Sequence, residues 1–150
     1  MQEAARSLDV DARGAVYVGT DISLTVLAYA ARRNQGGAFA VARVPRLPFQ
    51  DHSFHKALVV NVCHHLSDTE VDGLCAELAR LVRGPIVLVD ADPETSNWFQ
   101  RLLLSLDPGQ NFCGRDHRVR QISRTLVVTG HRSFSTPTHS VSLYLIEATA

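Results

Sequence analysis

A few acids and imidazoles stand where this chain could do chemistry. An apolar run from Ala15 to Gly19 leads to a single acid, Asp21, and a helical pattern begins at once. A carboxylate at the carboxyl end of a parallel strand can accept both hydroxyls of a ribose. An aspartate before a helix can equally be its N-cap. His64 and His65 follow a second apolar run, Ala57 to Val60. An imidazole there could act as a general base near neutral pH, or be held structurally by a backbone carbonyl. Asp90 and Asp92 close a third run, Pro85 to Val89. Asp92 precedes Pro93, which reads as a helix cap with proline in the first turn. His52, His55, Cys63, His64 and His65 are soft ligands in a short stretch. Their spacing matches no named zinc pattern, so no metal is expected from it. Arg115, Arg118, Arg120 and Arg124 read as an anion patch or as a solvated helix face, the latter being the default.

The elements that would position these residues alternate along the chain. Residues 1 to 13 are polar and weakly helical. Ala15 to Gly19 reads as a buried strand. Leu24, Leu27, Ala28 and Ala31 lie on one helical face, with Ser23 as cap and Asn34 to Gly37 as the stop. Phe39 to Val44 is a second strand, broken by Pro45 and Pro48. Ala57 to Val60 is continuous and apolar, as in a strand covered on both faces. Ser67 and Glu70 have capping-box spacing, and Val71, Leu74, Cys75, Leu78, Leu81 and Val82 form a helical stripe ended at Gly84. Pro85 to Val89 is the clearest strand. A helix is expected from Glu94 to Leu106, and a last helix carrying Val119, Ile122, Leu126 and Val127, stopped at Gly130. Ser133 to Thr136 and Ser142 to Ala148 are extended, with no helix between them, and predict an antiparallel hairpin at an edge. Alternating strands and helices predict a parallel sheet with helices on both faces and right-handed crossovers.

Composition narrows the class. The 150 residues suffice for one domain with one core. Formal net charge is zero, so no global field draws the protein to nucleic acid or an anionic membrane. Lys56 is the only lysine, which reads as base-composition bias rather than chemistry. Cys63, Cys75 and Cys113 are odd in number with no close pair, which predicts reduced thiols. No apolar run reaches membrane-span length and the N-terminus lacks the pattern of a signal peptide. A cytoplasmic location is expected.

The order of motifs resembles the class I S-adenosylmethionine-dependent methyltransferases, in their small-molecule methyltransferase-domain branch. The resemblance spans roughly Ala15 to Ala148. Asp21 and Ile22 stand for the family's ribose acid and the hydrophobic residue against adenine. Leu47-Pro48-Phe49, Gln50-Asp51-His52 and Ser53-Phe54-His55 stand for its Leu-Pro-Phe, polar turn and Ser-Phe-Asp. Asn61-Val62-Cys63-His64-His65-Leu66 stands for its histidine-containing segment, and Ala79 to Gly84 for the helix end before its fifth strand. There are three departures. The family's first strand and acid-x-Gly-x-Gly loop are absent, Gly14 being the only glycine before Ala15. Its adenine-reading acid falls on Arg43, which has donors only. Its Ser-Phe-Asp aspartate is His55.

The resemblance implies an α/β fold: a Rossmann-like, mostly parallel sheet with helices on both faces, a C-terminal antiparallel hairpin and the first strand missing. It implies a single, partial methyltransferase-like domain over residues 1–150. The implied activity is methyl transfer from S-adenosylmethionine to a small-molecule acceptor. The alternative is a truncated or degenerate, non-catalytic module acting in protein interaction or in a split protein. Asp21, Ile22, Arg43, Val44, Asn61 and Val62 fall at cofactor-binding positions, and His65 and His64 at catalytic ones. Without the central first strand, Ala15–Gly19 and Ala57–Asn61 lose their shared neighbour. Direct pairing of the two is expected. Left open, such edges would template association with a second copy.

Overall fold

The computed structural model describes residues 16–34, 36–109 and 111–148. The readings of residues 1 to 13 and of Gly14 and Ala15 therefore lie outside the described residues. The chain divides into two compact units, one ending at Arg46 and the other beginning at Leu47.

The first unit is a β-α-β element. Strand β1 (Val18–Asp21) pairs in parallel with β2 (Ala38–Val41), Asp21 opposite Val41. Helix α1 (Leu24–Arg33) joins them, and Leu27 is its buried residue. Ser23 is its N-cap, its hydroxyl accepting the Val26 N–H at 3.4 Å, and Asn34 is its C-cap. The helix thus begins and ends where the sequence predicts. Strand β2 is shorter than expected and stops before Arg43.

The second unit carries a sheet of four strands in the order β3-β4-β6-β5. β3 (Ala57–Val60) and β4 (Ile86–Ala91) are parallel; β6 (Ser140–Ala148) is antiparallel to both β4 and β5 (Leu126–Ser135). Helix α2 (Asp68–Leu81) joins β3 to β4. The Ser67–Glu70 capping box is formed, and Val71, Leu74, Cys75, Leu78 and Leu81 are buried along one stripe. They belong to the core with Ile86 and Leu88 of β4, Ile122, Leu126, and Tyr144 and Ile146 of β6. This is the α/β, Rossmann-like architecture expected, with its C-terminal antiparallel hairpin. Among the described residues, no helix is long and apolar enough to cross a membrane.

Six local expectations are corrected. Among the described residues β1 pairs with β2 and β3 with β4, so the direct pairing of the first and third strands is not formed. Leu58 in β3 is 42% exposed, so that strand is not covered on both faces. Helix α3 (Trp98–Leu104) starts later than Glu94, because Asn97 and Gln100 form a capping box and Asp92 instead closes a turn through the N–H groups of Glu94 and Thr95. Helix α4 (Arg115–Ile122) stops before Leu126, which opens β5. Thr125 to Thr129 is rich in β-branched residues, which pack well on a pleated surface. Gly130 is not a helix stop; it lies where the β5–β6 register shifts. Gly84 does not end α2, whose C-cap is Val82. A Cβ on Gly84 would stand 2.5 Å from the His55 carbonyl oxygen, so the residue is a close-approach glycine.

Candidate functional site

In the first unit the acid at the end of β1 is positioned by the strand and by the turn into α1. Asp21 Oδ1 accepts the Ser23 N–H at 2.7 Å. Ser23, not Asp21, caps the helix. Asp21 Oδ2 has no hydrogen-bond partner among the described residues. Ile22, the next residue, is 66% exposed. An apolar side chain presented to solvent beside a half-satisfied carboxylate suits a ligand that has both a hydroxylated ring and a flat base. Val41 lies opposite Asp21, and the Ala42 N–H donates to the Asp21 carbonyl at 3.1 Å. Arg43 and Val44 therefore leave the same strand edge as Asp21 and Ile22.

In the second unit the carboxyl ends of β3 and β4 hold the remaining candidates. Asn61 follows β3 with φ 53, donating its N–H to the Val89 carbonyl at 2.9 Å. Asparagine tolerates this left-handed backbone better than most residues. Val62 then leads into a short 3-10 turn, Cys63–His65.

That turn aims His64 inward and His65 outward. His64 is 4% exposed, and its Nδ1 is hydrogen-bonded to Asp90 Oδ1. Burial on β4 alternates, so Asp90 shares the inner face with Ile86 and Leu88. Arg118 Nη2 lies 3.7 Å from Asp90 Oδ2, and its Nη1 donates to Gln121 Oε1 at 2.7 Å. A buried carboxylate is thus held between an imidazole and a guanidinium, as a charge far from water requires. His64 Nε2 faces Asp107 Oδ1 at 3.7 Å. Phe112 stacks on the His64 ring, with centroids 4.9 Å apart and planes 10° apart. The His65 ring lies 4.1 Å away, centroid to centroid, and the His65 side chain is exposed. His64 is therefore held by a carboxylate rather than by a backbone carbonyl.

Asp92 is buried beyond β4 and takes the role of a local organiser. Its Oδ2 accepts the Ser142 hydroxyl at 2.7 Å, and its Oδ1 accepts the Glu94 N–H at 2.9 Å. Burial pushes its carboxyl upward, but Ser142 and the N–H groups of Glu94 and Thr95 outweigh burial and hold it below the usual range. Burial, with Asp90 adding, pushes the Cys63 thiol up to about 12, which keeps it protonated and a poor ligand. The arginines form no patch: Arg118 is buried, Arg124 pairs with Asp72 at 2.7 Å and Arg115 with Asp116 at 3.0 Å. Asp107 and Phe112 carry no signal in the sequence, and only the folded chain brings them to His64 and brings Arg118 to Asp90.

The fold is α/β and Rossmann-like, and comparison makes the class specific. The methyltransferase-domain family matches residues 3–90 of the chain. The chain belongs to that family, the S-adenosylmethionine-dependent class I methyltransferases. Three solved structures illustrate the shared fold. A SAM-dependent methyltransferase from Methanosarcina mazei is 16% identical with a TM-score of 0.73, covering 96% of this chain and 87% of its own. The magnesium protoporphyrin IX methyltransferase of Synechocystis PCC 6803, solved with bound SAH, is 16% identical with a TM-score of 0.69, covering 90% and 65%. The geranyl diphosphate C-methyltransferase of Streptomyces coelicolor A3(2), in complex with Mg2+, geranyl diphosphate and S-adenosyl-L-homocysteine, is 12% identical with a TM-score of 0.68, covering 88% and 63%. The chain thus spans less than two thirds of the length of the last two. No curated protein matches the chain in sequence. S-adenosylmethionine is the cofactor of this class.

Proposed function

We propose that the protein transfers a methyl group from S-adenosylmethionine to a small-molecule acceptor. The observation that carries the reading is the pair at the end of β1: a carboxylate with one oxygen unpartnered among the described residues, next to an exposed isoleucine. Asp21 would hold the ribose and Ile22 the adenine face, with Arg43 and Val44 along the same strand edge. Asn61 and Val62 are the further cofactor-binding residues proposed, at the end of β3. When bound, the cofactor supplies an electrophilic methyl on a sulfonium. The chain's own part is alignment, and removal of the acceptor's proton where the acceptor carries one. His65 is exposed and has the free imidazole suited to that proton; His64, fixed by Asp90, positions it through ring contact.

Arg43 favours a second reading. It has five donors and no acceptor, so it cannot take the adenine amino group that an acid would. A chain unable to bind the cofactor would be a non-catalytic, methyltransferase-like interaction module of one partial domain. Calorimetric titration with S-adenosylhomocysteine separates the two. Saturable one-site binding weakened by Asp21→Ala supports methyl transfer. No heat at millimolar ligand, from a chain that melts cooperatively, supports the module. The protein is proposed to be cytoplasmic, and the strand edges left unpaired among the described residues are where a second copy would add.

A further inference from the structure

We propose that His64 Nε2, His65 and Asp107 form a binding site for a divalent transition-metal ion, with Asp90 as the carboxylate that orients His64. The ligand atoms of the three residues lie within 4.8 Å of one another. His64 Nε2 and Asp107 Oδ1 are 3.7 Å apart, too long for a direct hydrogen bond. Two ligands on a tetrahedral ion with bonds of about 2.0–2.1 Å stand about 3.3 Å apart, so a small closure of this gap seats an ion.

A second observation points the same way. The side chain of His64 is buried, and its Nδ1 is committed to Asp90, itself 3% exposed. With Nδ1–H donating to that carboxylate, the lone pair of the neutral ring is on Nε2, the atom that faces Asp107. A carboxylate behind a histidine is the usual outer support of a metal-binding imidazole, fixing its tautomer and raising its basicity.

The surrounding chain holds this geometry. The Gly109 N–H donates to Asp107 Oδ1 at 2.7 Å, and the Asn111 N–H donates to the His64 carbonyl at 3.0 Å. A Cβ on Gly109 would collide with the His64 ring, so the loop passes close over it. Phe112 closes the other face of the ring. The outer side is open through His65 and the partly exposed Asp107, which leaves coordination positions to water or to an acceptor oxygen. Two imidazoles and one carboxylate suit zinc, cobalt or nickel better than magnesium, which prefers an all-oxygen shell. The sequence shows no zinc spacing because the third ligand lies beyond α3, and Cys63 is buried in the core. The proposal stands apart from methyl transfer: an ion held here would replace His65 in activating an acceptor hydroxyl, but its binding needs no cofactor.

The test is titration of the untagged full chain with Co2+, followed by its visible d–d absorption, and with Zn2+ by competition. One equivalent of each is expected, with a tetrahedral or five-coordinate cobalt spectrum. His65→Ala and Asp107→Ala alter exposed or half-exposed side chains and should keep the fold by circular dichroism. Each should weaken binding at least tenfold. Asp90→Asn should weaken it by roughly 10- to 100-fold. His52→Ala and His55→Ala should leave it unchanged. No stoichiometric binding overturns the proposal. So does binding that survives both His65→Ala and Asp107→Ala, or that follows His52 or His55.

Discussion

Asp90 accepts a hydrogen bond from His64 Nδ1, tying the carboxyl end of β4 to the turn after β3 across 26 residues of sequence. The same carboxylate faces Arg118 of α4. Three elements of the second unit are thus joined at one buried acid. Removing a partner from a buried ionic set leaves charges uncompensated. Asp90→Ala is expected to destabilise the chain by about 3–5 kcal/mol, read from urea denaturation. Asp72→Ala, which removes a surface pair with Arg124, should cost about 1 kcal/mol or less. Equal costs for the two would show that Asp90 is not a structural junction.

This junction also marks where sequence stops being informative. Helices α1 and α2 are legible because Ser23, and Ser67 with Glu70, are local capping signals beside a regular apolar stripe. The start of β5 is not legible, because Ile122, Leu126 and Val127 keep helical spacing across the real break at Ser123. Asp21 and Ile22 are legible because a strand end followed by a helix start is local. The partners of His64 are not: Asp90, Asp107 and Phe112 come from separate parts of the chain, as does Arg118 behind Asp90, and no periodicity relates them. The sequence also offers Cys63 as a ligand beside His64, whereas its thiol faces the core.

Gly84 makes a sharper packing prediction. Its place for a side chain is taken by the His55 carbonyl oxygen, a backbone atom with little room to move, in the stretch where Arg83 donates to Phe54 O at 3.0 Å. Gly84→Ala should therefore destabilise by about 1–3 kcal/mol, the cost of forcing extra volume into a packed site. Gly36→Ala meets nothing closer than 3.9 Å and should be near neutral. Thermal melts of the two variants side by side are the check, and an unchanged midpoint for Gly84→Ala would contradict the close approach.

Acid stability should depend on Asp92. Burial pushes its folded-state carboxyl up, but Ser142 and the Glu94 and Thr95 N–H groups outweigh burial and hold it below the ordinary aspartate range. The unfolded state therefore takes up its proton first as pH falls. The stability this residue contributes is full above about pH 5, and is lost progressively as pH drops through the unfolded-state value toward the lower folded one. Asp92→Asn should flatten the loss below pH 4 and leave the slope between pH 5 and 7 unchanged. A variant whose acid transition tracks the parent would place the titrating group elsewhere.

The functional reading turns on Asp21, whose two oxygens have different tasks. Oδ1 holds the Ser23 N–H, and Oδ2 is without a partner among the described residues. Asp21→Ala removes both, yet Ser23 still caps α1 and the helix should form. Hydrogen bonds to a charged group are worth about 1.5–3 kcal/mol each. If Oδ2 accepts ribose hydroxyls, Asp21→Ala should weaken S-adenosylhomocysteine binding by about tenfold to a hundredfold or more. Asp21→Asn keeps an acceptor oxygen but loses the charge and should fall between. Asp92→Asn, at a carboxylate whose oxygens are both committed within its own unit, should leave affinity nearly unchanged. Calorimetry on the parent and the three variants, each first shown to melt cooperatively, gives the ranking. Equal losses for Asp21→Ala and Asp92→Asn would reduce Asp21 to the turn it makes with Ser23, and the exposed Ile22 beside it would lose its claim on an adenine.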